Sequence, residues 1–272
     1  MKFDYSIAEV APYINWVYFD HAWGMSGKPG TERQQLHREA EARLGRYGDS
    51  YRTHALFQLY DCYSEGEDVV LLGARYEVRG TRIPFLRQQQ QGSEYLCLSD
   101  FIAPQDYPRT SQQIGLFATS VDSGMEHDFD GDPYEKMMMQ LLADRLAEAT
   151  AERLHEQVRR ELWGYARDEQ LTIADMLLAH FQGIRPAVGY PSLPDVSLNF
   201  VLDGLLDMNQ IGIRLTESGA MRPHASVSGL MLAHPEARYF SVGKIGDDQL
   251  HDYSRRRGVP VELMRKFLNP YL

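Results

Sequence analysis

Apolar side chains recur at Met138, Leu142, Leu146, Leu154, Val158 and Leu162, all on one i+4 row. That spacing predicts a helix over about 133–163, roughly 45 Å long at ~1.5 Å per residue. Asp132 is suited to its N-cap, Pro133 to its first turn and Glu135 to closing a capping box; Gly164 ends it. Near the N-terminus, Ser6-x-x-Glu9 opens a short helical stretch that Pro12 interrupts, or else the helix starts with Pro12 in its first turn. An aromatic cluster follows at Tyr13, Trp16, Tyr18, Phe19 and Trp23, read as mostly core. Residues 31–47 favour helix by propensity but offer few apolar positions, which predicts a solvated outer helix. Residues 53–63 and 68–72 read as strands joined by the turn Ser64–Glu67, and 74–78 and 82–86 as a second hairpin. A further strand covers 112–121. Later helices are predicted over 172–181, 197–208, 247–257 and 260–268, and strands over 211–215, 226–233 and 239–245. Strands and helices do not alternate strictly and no 20–50-residue period exists, so the pattern predicts an α+β fold. No Pro/Gly/Ser linker divides the chain, which predicts one domain over 1–272; the four-residue run Gln88–Gln91 is too short to be one.

Composition then removes whole function classes. The 272 residues carry 38 acidic against 28 basic side chains, a formal charge of −10, which argues against a polyanion-binding role and so against nucleic acid. Two cysteines, Cys62 and Cys97, make no disulfide framework and no CxxC. MKFDYSIAEV lacks the apolar stretch of a signal peptide, and no apolar run approaches the ~18–20 residues that span a bilayer. A soluble, cytoplasmic chain without membrane contact is expected. There is no GxGxxG and no phosphate loop. His155-Glu156 starts an HExxH, but Arg159 stands at the second His position and opposes zinc. Asp128, Asp130, Asp132 and Glu135 misplace the glycine and terminal Glu of a calcium loop, so helix capping explains them better. Ser228 lacks the GxSxG setting. No catalytic nucleophile and no metal site is expected.

Two features remain. Gly183-Ile184-Arg185-Pro186-Ala187-Val188-Gly189-Tyr190-Pro191 combines two prolines with glycines, the mark of an ordered irregular loop whose backbone can face a ligand. An Arg fixed there grips a carboxylate through a fork of two hydrogen bonds, or it is a surface Arg on a structural turn. Asp144 and Glu148, four apart on the long helix, are either solvated acids or an anionic face for a cationic partner.

The sequence resembles the activation domain of cobalamin (vitamin B12)-dependent methionine synthase. The resemblance lies in LLADRLAEATAERLHEQVRRELWGYA (141–166), QGIRPAVGYPSLPD (182–195) and LTESGAMRPHASVSGLMLAHPEARYFSVGKIGDDQLHDYSRRRG (215–258). Shorter matches occur at 12–16, 85–89, 97–104 and 114–118. The resemblance implies a single C-shaped α+β domain, with a bent, mainly antiparallel sheet and flanking helices. It further implies a shallow groove for S-adenosylmethionine, in support of reductive methylation of cob(II)alamin rather than catalysis by this chain alone. Arg185 then holds the ligand carboxylate; Ala187, Gly189 and Tyr190 add backbone and ring contacts; Tyr239 and Phe240 close over the ligand. Glu148 matches an acid near the site, and Asp144 one facing the cobalamin domain. Asn15 stands where the family has an Asp near the ligand amino group; alternatively it only caps or packs near Trp16. VSLNF replaces the family's usual His-Thr-Glu-Lys run after PSLPD. The corrinoid signature Asp-x-His-x-x-Gly is missing: His180-x-x-Gly183 has Leu178 where the Asp should be. Cobalamin is therefore expected from a partner, a cobalamin-binding methionine synthase or related corrinoid protein acting in trans, with an electron donor such as flavodoxin. The alternative is a docking module of the same fold that has lost S-adenosylmethionine.

Overall fold

The computed structural model describes residues 1–73, 80–89, 94–105 and 112–272. Among the described residues six strands form one sheet: β1 (Lys2–Ser6), β2 (Arg52–Glu65), β3 (Asp68–Leu72), β4 (Arg82–Pro84), β5 (Gln112–Val121) and, later in the chain, β8 (Ser226–Met231). The short pair β6 (Arg214–Leu215) and β7 (Met221–Arg222) stands apart. The sheet order is β4-β3-β2-β5-β8, and every strand pairing is antiparallel. The long β2 runs along β5 from Thr53 opposite Val121 to Cys62 opposite Gln112. Its other edge is shared, with β1 on Arg52–Leu56 and β3 on Asp61–Glu65.

Both faces of the central strands are covered, which is why β5 reads as a continuous apolar run rather than an alternating one. On one face Ala55, Phe57, Phe117, Val227 and Met231 pack against the apolar row of α5 (Pro133–Gln157). The short helices α1 (Ile7–Val10) and α2 (Trp16–Ala22) and the outer helix α3 (Gly30–Tyr47) complete that layer. α3 buries Leu36, Ala40 and Leu44 and adds the half-buried Tyr47, the narrow stripe its sequence allows. On the opposite face Leu56, Ile114, Leu116, Ala118 and Leu230 meet α7 (Leu198–Leu206). A third cluster joins α8 (Asp247–Arg257) and α9 (Val261–Phe267) around Leu250, Tyr253 and Met264. Two small helices, α4 (Gly124–His127) and α6 (Ile173–Leu177), precede and follow α5.

The expected α+β class, the antiparallel sheet and the long helix are all present. Asp132 caps α5, its carboxylate accepting from the N–H of Tyr134 and Glu135. Several expectations need correction. Glu135 closes no capping box, because its carboxylate is taken by Arg43 of α3 at 2.8 Å. The last five residues of the long helix, Val158–Leu162, widen into a π turn before Gly164 turns left-handed at φ +75°. The helix expected over 172–181 ends at Leu177, since Ala179 takes a positive φ. Residues 211–215 hold only the two-residue β6, because Gly212 closes a 3-10 turn with φ +78°. The run 239–245 is no strand: Val242 bonds once to Pro191 on one side and once to Gln89 on the other, so no ladder forms. The expected strand 74–78 lies outside the described residues, as do Gln90 and Gln91.

Candidate functional site

The loop 182–195 is fixed by its neighbours before any side chain is considered. Ile184 exchanges two backbone bonds with Leu232, the Leu230 N–H donates to Pro186 O (3.0 Å), and the Val188 N–H donates to Ser228 O (2.9 Å). The loop thus rides along β8 as an irregular extra strand. This is possible because Gly229 has no side chain: a Cβ there would stand 2.3 Å from Pro186 O. The far end is locked by the buried carboxylate of Asp195, which accepts from Tyr253 Oη (2.8 Å), Arg257 Nε (3.0 Å) and the Ser197 N–H (2.9 Å). Leu198 and Asn199 of the VSLNF segment are buried in α7, with Asn199 bonded to Ser228.

Against this rigid loop lies a second stripe of α5, Arg145, Glu148, Ala149 and Glu152, on helical spacing and turned away from the apolar row. Loop and helix enclose a groove of about 540 Å³, within the usual range of small-ligand sites. Seven of the eight residues expected at the site line it: Asn15, Glu148, Arg185, Ala187, Tyr190, Tyr239 and Phe240. Gly189 does not; its N–H is committed to Leu193 O (2.8 Å), and its φ of +88° makes the turn that presents Tyr190. Asp144 lies outside the lining, one turn back, where it meets the exposed His224 at 3.0 Å.

Arg185 is the electrostatic centre. Its guanidinium donates to Glu152 and stands 3.8 Å from Glu148, while its backbone N–H donates to Tyr239 Oη at 3.0 Å. Burial opposes its charge, but Glu152, Tyr239 and Glu148 outweigh that and hold it protonated above its ordinary value. The Tyr190 hydroxyl donates to Glu148. Desolvation within the groove, with Glu148 adding to it at Tyr190, raises both the Tyr190 and the Tyr239 phenol although each residue is about half exposed, so both are neutral at neutral pH. Phe181 lines the groove and is backed by His155 (4.8 Å between centroids) and by the Arg159 guanidinium (4.4 Å), which Glu169 clamps with both oxygens. Arg159 is thus a structural cation, and burial reinforced by Arg159 and Arg185 holds His155 neutral. Asn15 caps α2, its Oδ1 accepting from the Val17 N–H at 3.2 Å, while its side chain borders the groove.

Sequence reasoning missed Glu152, Arg145, Tyr13, Tyr18 and Phe181. The signal for Glu152 was present, since it continues the four-residue step from Asp144 and Glu148 by one turn. Among the described residues no three His, Cys, Asp or Glu side chains converge as a metal site, and no helix is long and apolar enough to cross a membrane. Both cysteines are buried, which pushes Cys62 up to about 12 and Cys97 to about 11, far from a reactive thiolate.

Fold and groove together define an α+β binding domain: an opposed Arg–Glu pair under aromatic walls, fit for a ligand bearing both a carboxylate and a cation. The chain belongs to the family of the vitamin B12-dependent methionine synthase activation domain, whose profile matches residues 6–258. Among solved structures it is similar to the MetH reactivation domain bound to AdoHcy, at 34% identity and a TM-score of 0.90, over 100% of this chain and 90% of that one. The family expected from the sequence is therefore the one found.

Proposed function

We propose that the groove binds S-adenosylmethionine and its product S-adenosylhomocysteine, and that residues 1–272 act as one activation unit in reductive methylation. The carrying observation is Arg185, fixed on a rigid loop, largely shielded from water, and faced by Glu148 and Glu152 between Tyr190 and Tyr239. A methionine-like tail offers a carboxylate to the guanidinium and positive charge to the glutamates; the ring faces offer a stacking surface to the adenine. In the reaction the family implies, a corrinoid reduced by a one-electron donor such as flavodoxin would supply the methyl acceptor, and S-adenosylmethionine would leave as S-adenosylhomocysteine. This chain's part is to hold the methyl donor. With no Asp-x-His-x-x-Gly in the sequence, the corrinoid comes from outside these residues, on a methionine synthase module that docks in trans. Exposed Val17, Tyr18, Leu178, Tyr190 and Tyr239 lie at or next to the groove residues, the apolar surface such docking would cover.

Arg185→Ala tests the ligand reading by calorimetry. Losing a charged fork and stranding the ligand carboxylate costs about 2–4 kcal/mol, roughly a 30- to 1,000-fold weaker Kd for S-adenosylmethionine. Equal binding by wild type and variant removes Arg185 as the anchor; no binding by wild type removes the ligand. Docking is tested by gel filtration with a methionine synthase cobalamin module in the cob(II) state. Co-elution is expected, and tight corrinoid uptake by this chain alone would refute it.

A further inference from the structure

Five of the buried side-chain polar atoms without a hydrogen-bond partner are Arg145 Nε, Glu152 Oε2, His155 Nδ1 and Arg159 Nη1, on or just behind the helical wall of the groove, and Arg185 Nε on the loop facing it. Two of them belong to the same ion pair: Glu152 gives one oxygen to Arg185 and leaves the other unmet, while Arg185 leaves its Nε unmet. Both side chains are largely shielded, at 15% and 12% exposure, so the missing bonds are not simply made to bulk water. Such a pair is under-satisfied, and a polar group left unmet at low dielectric is costly. Asn15 does not supply the missing acceptor, since its oxygen is spent on the Val17 N–H.

We infer that Glu152 is the ammonium-recognition residue of the groove, and that ligand entry exchanges the internal Arg185–Glu152 pair for two pairs with the ligand's amino-acid end. The inference rests on the ligand reading above and extends it to α-amino acid specificity. The ligand carboxylate moves onto Arg185 and its ammonium onto Glu152, so no buried charge is left unpaired. The halves are not equivalent: an ammonium alone can use the unmet Glu152 Oε2 while the other oxygen stays on Arg185, but a carboxylate without the ammonium takes Arg185 from Glu152 and strands a shielded anion.

Glu152→Gln keeps the side-chain volume and removes the charge. Calorimetry would compare three probes: S-adenosylmethionine, its decarboxylated form (ammonium but no carboxylate) and methylthioadenosine (neither group). The first two should bind about ten- to a hundredfold more weakly to the variant, with methylthioadenosine unchanged within about twofold. Unchanged binding of the decarboxylated ligand overturns the inference, as that ligand cannot report on Glu152 through an Arg185–carboxylate contact. Equal losses on all three probes also overturn it, since they mark general damage to the groove. Wild-type protein gives a second measurement that needs no variant. An S-adenosylhomocysteine analogue with hydrogen in place of its amino group should bind at least about tenfold more weakly than the parent; equal affinity overturns the inference. If Arg185→Ala loses S-adenosylmethionine while Glu152→Gln does not, only the Glu152 assignment falls. If wild type binds no S-adenosylmethionine, the ligand reading itself falls.

Discussion

Gly229→Ala is the sharpest test of how the fold positions the site. Gly229 has no positive φ, so alanine suits its backbone and the whole cost is steric. The new methyl would lie 2.3 Å from Pro186 O, 2.8 Å from Ala187 Cα and 2.9 Å from Phe117 Cε1, and ordinary contact starts near 3.4 Å. Two of those three atoms are loop backbone and cannot rotate away, so the loop must withdraw by about 1 Å from the 2.3 Å contact. That withdrawal stretches the bonds Val188 N–H to Ser228 O (2.9 Å) and Leu230 N–H to Pro186 O (3.0 Å) past useful length. Two lost backbone bonds come to about 1–3 kcal/mol, the same range as overpacking a filled core. Arg185 directly precedes Pro186, between that bond and the Ile184–Leu232 pair, and moves with the loop; a misplacement of about 1 Å weakens a preorganised contact by up to roughly a hundredfold. Urea unfolding should show a lower midpoint at unchanged m, and calorimetry a weaker S-adenosylmethionine Kd. Gly204→Ala in α7 is the control: nothing lies within 4 Å of its Cβ, and the alanine should stabilise by about 0.5–1 kcal/mol. Wild-type midpoint and affinity in Gly229→Ala would refute the reasoning.

Two further outcomes are expected. His155 is held well below its ordinary 6.5 by burial, with Arg159 and Arg185 adding to the effect, so below about pH 6.5 the unfolded chain takes up a proton that the folded chain refuses. Stability should therefore fall with acidification from that point by up to ~1.4 kcal/mol per pH unit, and His155→Gln should remove that share of the slope; equal slopes from pH ~6.5 to ~5 would exclude it. Asn15→Asp keeps the cap on α2, as both side chains cap well, and adds a carboxylate to the groove edge. It should tighten S-adenosylmethionine binding roughly tenfold at neutral pH, about 1–2 kcal/mol after desolvation, with the gain shrinking as acid protonates it. Unchanged affinity would leave Asn15 as a cap alone.

What was legible in the sequence is what depends on local periodicity. The row Met138–Leu142–Leu146–Leu154–Val158 marks α5 because a 3.6-residue period admits no strand reading over that length, and Asp132-Pro133 marks where it begins. The hairpin of β2 and β3 follows from apolar runs around Gly66. The failures are tertiary. Glu135 has the spacing of a capping box, yet Arg43 from a helix ninety residues earlier in the chain binds it instead. The run 239–245 has a strand's composition, but its backbone partners are a loop on one side and Gln89 on the other. Asp144, Glu148 and Glu152 are indistinguishable in sequence. Only the course of the 182–195 loop decides that the last two face Arg185 while the first faces His224.

That division places core and site on opposite stripes of one helix, and it explains why the groove holds a buried cation at all. The apolar stripe of α5 is pinned to the sheet by Phe57, Phe117 and Met231, and Thr119 Oγ1 donates to Ala147 O at 3.0 Å. With the helix so fixed, Glu148 and Glu152 cannot retreat from the loop, and the loop cannot retreat from them while it is bonded to β8. Arg185 is thus confined between two rigid bodies, which lowers the ordering cost of gripping a ligand. The groove's own charges balance, Arg145 and Arg185 against Glu148 and Glu152, within a chain of net charge −10. The surrounding field favours a ligand with net positive charge, and the local pair favours one that is also a zwitterion. S-adenosylmethionine, with its carboxylate, ammonium and sulfonium, meets both conditions, whereas a simple anion meets neither.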